Sequence, residues 1–141
     1  MRNEVTIREI LVPALAAAFP GASMCVAAPP EPVVVFPAVC TEVGDIHIYD
    51  DGGEATIFIE NVTHHHVTPY DSEVTASDRA QWVTQEVVEF LHALFDDRVL
   101  LWSRQQGKGG GGWQQPYEGV IPGDIPEDAD VFVWSRRVER T

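Results

Sequence analysis

The segment Ser77–Phe95 constrains this chain more than any other. Ala80, Val83, Val87, Phe90, Leu91, Leu94 and Phe95 recur at three- and four-residue steps, the spacing of a single broad apolar stripe on an α-helix. Such a helix has to bury its stripe, so the chain must supply a second layer for it to lie against. Ser77 is placed to cap the N-terminus, and Asp78 suits the positive end of the helix dipole.

Strand patterns on either side supply that layer. Asp45–Tyr49 alternates, with Ile46 and Ile48 on one side and His47 and Tyr49 on the other. Asp50-Asp51-Gly52-Gly53 has turn chemistry, because its glycines reach positive φ without steric cost. Glu54–Val62 then alternates again, with Ile57 and Ile59 opposing Thr56, Phe58 and Glu60. The spacing predicts a hairpin whose four isoleucines face the helix. Arg98–Trp102 and Val131–Trp134 read as two further short, buried strands, and their sequences rhyme: Leu100-Leu101-Trp102-Ser103-Arg104 against Phe132-Val133-Trp134-Ser135-Arg136.

The remaining segments are less regular. Thr6–Phe19 has helical apolar spacing, with Pro13 predicting a kink or two short helices and Pro20-Gly21 a stop. Ser23–Ala28 and Val33–Phe36, bounded by prolines, suit edge strands or extended segments. Gln105–Asp130 is a long Gly- and Pro-punctuated stretch whose Trp113 and Tyr117 should fold part of it back onto the body. The expectation is therefore an α+β fold in one domain spanning 1–141. Its mostly antiparallel sheet has four to six strands, with the 77–95 helix on one face and a shorter N-terminal helix (about 6–19) beside it. The sheet-and-helix core covers about 45–103, the loop 105–130, and the last strand about 131–135.

Charge narrows the partners. The formal net charge is −13. Residues 54–97 hold nine acidic groups and one basic group, whereas 98–141 hold six of each. Phosphate backbones require positive charge from a protein, so nucleic acid is excluded as a partner and a basic protein is favoured. No apolar run reaches the roughly 18 residues that a membrane span needs. Glu4 and Glu9 offset Arg2 and Arg8 ahead of the apolar Ile10–Phe19 run, which Pro13 interrupts, so no export leader is read. The expected location is cytoplasmic, with Cys25 and Cys40 as reduced thiols.

Two sites stand out. On the helix face opposite the stripe lie Trp82, Glu86, Glu89, His92 and Asp96. Trp82 either packs beneath the N-terminal helix or is an exposed anchor, and with Glu86 and Glu89 it forms the candidate partner surface. The second site is His64-His65-His66. On an extended backbone His64 and His66 share a face while His65 points away. A divalent transition metal could join the pair, with Asp71 as the preferred third ligand and Glu73, Glu60 or His47 as alternatives. The His-x-His patterns of cupins and of metallo-β-lactamase-like proteins do not fit: Phe58 stands where the first wants glycine, and Thr68-Pro69 where the second wants Asp-His.

Other chemistries fall away. Gly107-Lys108 lacks the following Ser or Thr and helix of a phosphate loop. Ser103 and Ser135 sit in no nucleophile elbow. Asp50-Asp51 and Asp96-Asp97 lie at a turn and a helix end, where solvated carboxylates are ordinary. No complete catalytic constellation is legible, so the reading leans away from an enzyme and expects no cofactor. The favoured function is a small acidic interaction module, of neutralising or inhibitor type, for a basic partner. The alternative is a metal-binding protein or metal-dependent enzyme built on His64 and His66. Homodimerisation through an edge strand or exposed tryptophans is a further expectation.

Overall fold

The computed structural model describes residues 7–27, 32–50, 54–69, 75–104 and 110–139. Its architecture is α+β, with two helices and two antiparallel sheets. The first sheet has the order β1 (Cys25–Val26), β2 (Val34–Phe36), β3 (Ile46–Asp50), β4 (Ala55–Ile59) and β5 (Thr63–Val67). The second is ordered β7 (Gly111–Gln114), β6 (Leu100–Arg104), β8 (Ala129–Val133) and β9 (Arg136–Val138). Helix α1 (Ile7–Ala18) precedes β1, and α2 (Ala76–Phe95) links the two sheets in sequence.

The hairpin of β3 and β4 has the register that the alternation implies, with Ile46 opposite Ile59 and Ile48 opposite Ile57. All four isoleucines are buried. The segment 54–62 differs from the single strand expected. Its strand ends at Ile59, a turn covers 60–62, and the chain reverses into β5, which carries all three histidines. Asn61, a residue suited to turns, is the local cause. The strands thus divide between two sheets instead of forming one.

Helix α2 buries its stripe as the spacing requires, with Val83, Val87, Leu91 and Leu94 all fully buried. Burial of each such side chain contributes about 1.5–3 kcal/mol. Its cap is Thr75 rather than Ser77: the Thr75 backbone is extended, and its hydroxyl accepts from the Asp78 N–H at 3.1 Å. At the other end the Arg98 N–H donates to the Ala93 carbonyl at 2.9 Å, and Asp97 takes the left-handed conformation at φ 60°.

One core joins Ile7, Leu11 and Leu15 of α1, the inner face of the five-stranded sheet, the α2 stripe, and Leu101, Phe132 and Trp134 from the second sheet. Helix α1 is continuous, with Pro13 on its exposed side. It is tied to the first sheet where the Arg8 N–H donates to Asp50 Oδ2 at 3.2 Å and the Arg8 guanidinium donates to the Ala27 carbonyl. Asp50 therefore has a structural job, while Asp51, Gly52 and Gly53 lie outside the described residues. A second, smaller core forms on the far face of the four-stranded sheet. There Tyr117, Ile121 and Ile125 from the segment after β7 cover Leu100, Trp102, Val131 and Val133. The long segment does fold back on the body, although Gly107 and Lys108 lie outside the described residues. No helix is long and apolar enough to cross a membrane among the described residues.

Candidate functional site

The site is built where β5, the edge strand of the first sheet, runs beside α2. The period of β5 sends its histidines to opposite faces. His65 points inward, with its ring centre 5.0 Å from Phe90 of α2 and 4.5 Å from Trp113 of β7. Phe90 and Trp113 are themselves 5.0 Å apart, so the three rings close a triangle. Burial among these rings pushes the His65 pKa below its usual value, and the neighbouring His66 lowers it further. Both effects favour a neutral imidazole.

The opposite face of α2 supplies the other wall. Trp82, Glu86 and Glu89 follow one another at four- and three-residue steps, so they line one edge of the helix. Trp82 keeps 38% of its surface exposed. With His65, His66, Val67, Thr68, Phe90 and Gln115 these three residues line a cleft of about 380 Å³. Gln85 Nε2 donates to Glu89 Oε2 at 3.0 Å and steadies that carboxylate. Two carboxylates and an indole face the cleft, and no lysine or arginine lines it among the described residues. Such a cleft attracts cations: the carboxylates by charge, and the indole face by its quadrupole.

His64 and His66 point outward from β5, with ring centres 4.9 Å apart at 78°. His66 Nδ1 lies 3.3 Å from Glu54 Oε2 and 3.2 Å from Thr56 Oγ1. Phe58 packs against His64 at 5.5 Å, and Tyr49 against Phe58 at 5.6 Å. Asp71 and Glu73 lie outside the described residues. Among the described residues no group of three His, Cys, Asp or Glu side chains is close enough to hold a metal ion. His47 shares the outer face of the sheet but sits across Phe58 from His64, with its Nε2 buried. Glu60 instead accepts from the Asp45 N–H at 3.2 Å.

The two sites that the sequence suggests separately are therefore neighbours, because His66 lines the cleft that holds Trp82, Glu86 and Glu89. Sequence reasoning misses Phe90 and Trp113 as the supports of His65, and Glu54 as the partner of His66. The signal for Glu54 was local, since a turn at Asn61 brings strands β4 and β5 together and sets Thr56 opposite His66. Nothing local announces Trp113. The other candidates take ordinary places: Cys25 is exposed and Cys40 half-buried, both as free thiols, and Asp97 holds Ser135. A second hollow of about 550 Å³, lined by Phe19, Phe36, Phe95 and Trp134, opens at the far end of the main core. Comparison of the chain with protein-family profiles, with curated proteins and with solved structures finds no match.

Proposed function

We propose that this chain is a non-enzymatic interaction module that receives a basic partner protein in the cleft between β5 and α2. A lysine or arginine side chain of the partner lies against Trp82, with its charge between Glu86 and Glu89. The observation that carries this reading is the lining of one cleft by an exposed tryptophan and two carboxylates, with no lysine or arginine among the described residues that line it. The net charge of −13 supports it, since a strongly acidic surface raises the encounter rate with a basic surface. The neutral form of His65 keeps the floor of the cleft free of competing positive charge.

The test is a calorimetric titration of the full chain with a lysine- and arginine-rich peptide, repeated with Glu86→Lys, Glu89→Lys. Binding should weaken as salt rises, because charge attraction between exposed groups is screened over about 10 Å at 0.1 M. It should be lost in the double variant. A double variant that captures the same proteins and the same peptide as the unaltered chain rules the cleft out.

A further inference from the structure

We infer that His64 and His66 together chelate one divalent transition-metal ion per chain on the outer face of β5, with Glu54 orienting His66 from behind. The geometry starts with the hairpin. Antiparallel pairing of β4 with β5 sets Thr56 opposite His66 and Phe58 opposite His64, and this brings both imidazoles onto one exposed face. Their ring centres are 4.9 Å apart. Two imidazoles bound through Nε2 to one tetrahedral ion at about 2.0–2.1 Å would have ring centres roughly 5 Å apart. The two ring centres stand at the separation that chelation requires.

The environment of His66 selects the nitrogen. An ionised carboxylate can only accept, so Glu54 Oε2 at 3.3 Å from Nδ1 favours the proton on that nitrogen. In the neutral ring the lone pair then sits on Nε2. A carboxylate holding the far nitrogen of a metal-binding histidine is the recurring outer support of such ligands, fixing the tautomer and raising basicity. Thr56 Oγ1 at 3.2 Å holds the same ring edge. His64 is steadied differently, by the tilted ring of Phe58, which is braced in turn by Tyr49. The His66 side chain keeps 54% of its surface exposed, so an ion can reach it from solvent. Imidazole ligands suit zinc, nickel and copper(II), whereas magnesium and calcium prefer oxygen. With two nitrogens from the protein, the other coordination positions go to water or to a donor on another molecule.

This inference does not rest on the partner cleft, and its test uses the chain alone. Untagged protein is titrated with zinc chloride, and separately with nickel chloride, by calorimetry. One ion per chain is expected. Binding should disappear in His64→Ala and equally in His66→Ala, and persist unchanged in His92→Ala. Glu54→Gln should keep the fold by circular dichroism and weaken binding about 10- to 100-fold, the usual effect of losing an outer carboxylate. In the metal-free chain, nitrogen-15 NMR should find His66 as the Nδ1–H tautomer. The proposal is overturned by an absence of binding, by binding that survives either alanine variant, or by an Nε2–H tautomer at His66. A Glu54→Gln variant that binds as tightly as the unaltered chain removes Glu54 from the site.

Discussion

His65 and Trp113 lie with ring centres 4.5 Å apart, and this contact joins the edge strand of one sheet to the edge strand of the other. It also fixes the sign of a pH effect. The pKa of His65 is lowered by folding, chiefly by burial. The unfolded chain therefore takes up a proton at a pH where the folded chain does not, and stability rises with pH across that window. The contribution is full above the ordinary histidine value of about 6.5 and is lost as pH falls through the lowered folded value. Urea midpoints at pH 7.5 and pH 5.5 should differ more for the unaltered chain than for His65→Phe, which keeps the ring packing and cannot titrate. Equal differences would remove His65 as the cause.

Gly111 lets β7 reach that contact. A Cβ built there would stand 1.9 Å from the Val62 carbonyl oxygen and 3.0 Å from that of Trp102. Both obstacles are backbone, which cannot swing aside. Gly111→Ala should cost about 2 kcal/mol or more, in the range of an overpacked site. It should also move Trp113 from Phe90 and His65, which would be read as a change in tryptophan fluorescence at a pH and temperature where the chain stays folded.

Asp97 combines a strained backbone with a long-range tie. Its φ is 60°, and its carboxylate accepts from the Ser135 N–H at 3.1 Å and the Ser135 hydroxyl at 2.5 Å. Asp97→Ala loses both hydrogen bonds and adds the left-handed cost of a Cβ lacking a polar group, together about 1–3 kcal/mol. Asp97→Gly loses the hydrogen bonds but removes the backbone cost, so its loss should be the smaller. Denaturant unfolding of the two variants side by side checks the order.

Trp82 separates stability from recognition. It is 38% exposed and lies outside the core cluster, so Trp82→Ala should change stability by about 1 kcal/mol or less. Losing a cation–π contact of about 1–2 kcal/mol should weaken the basic peptide roughly 5- to 30-fold. A variant that binds the peptide normally would place recognition elsewhere, and one that unfolds would make Trp82 a structural residue.

Much of the fold was legible because its signals are local. The stripe from Ala80 to Phe95 needed only the helical period, and the four isoleucines of β3 and β4 only the strand period. The shared face of His64 and His66 followed in the same way. The turn at 60–62 is hidden because the alternation runs on through Glu60 and Val62, and the Thr75 cap because it depends on backbone geometry one residue ahead of the helix. The division into two sheets is hidden because strand patterns carry no label of which partner they pair with.

The sequence determined the side of each element on which a residue falls: Trp82, Glu86 and Glu89 along one side of α2, and alternate histidines along β5. Those assignments depend on side-chain period alone, which any backbone of that type obeys. Only the tertiary structure decided that β5 lies beside that face of α2, that Trp113 arrives from a distant strand to support His65, and that Glu54 stands behind His66. Each of those pairings joins elements that the chain could have arranged otherwise. Register, the close approach at Gly111 and the shared core select one arrangement, and none of these is written in a local window.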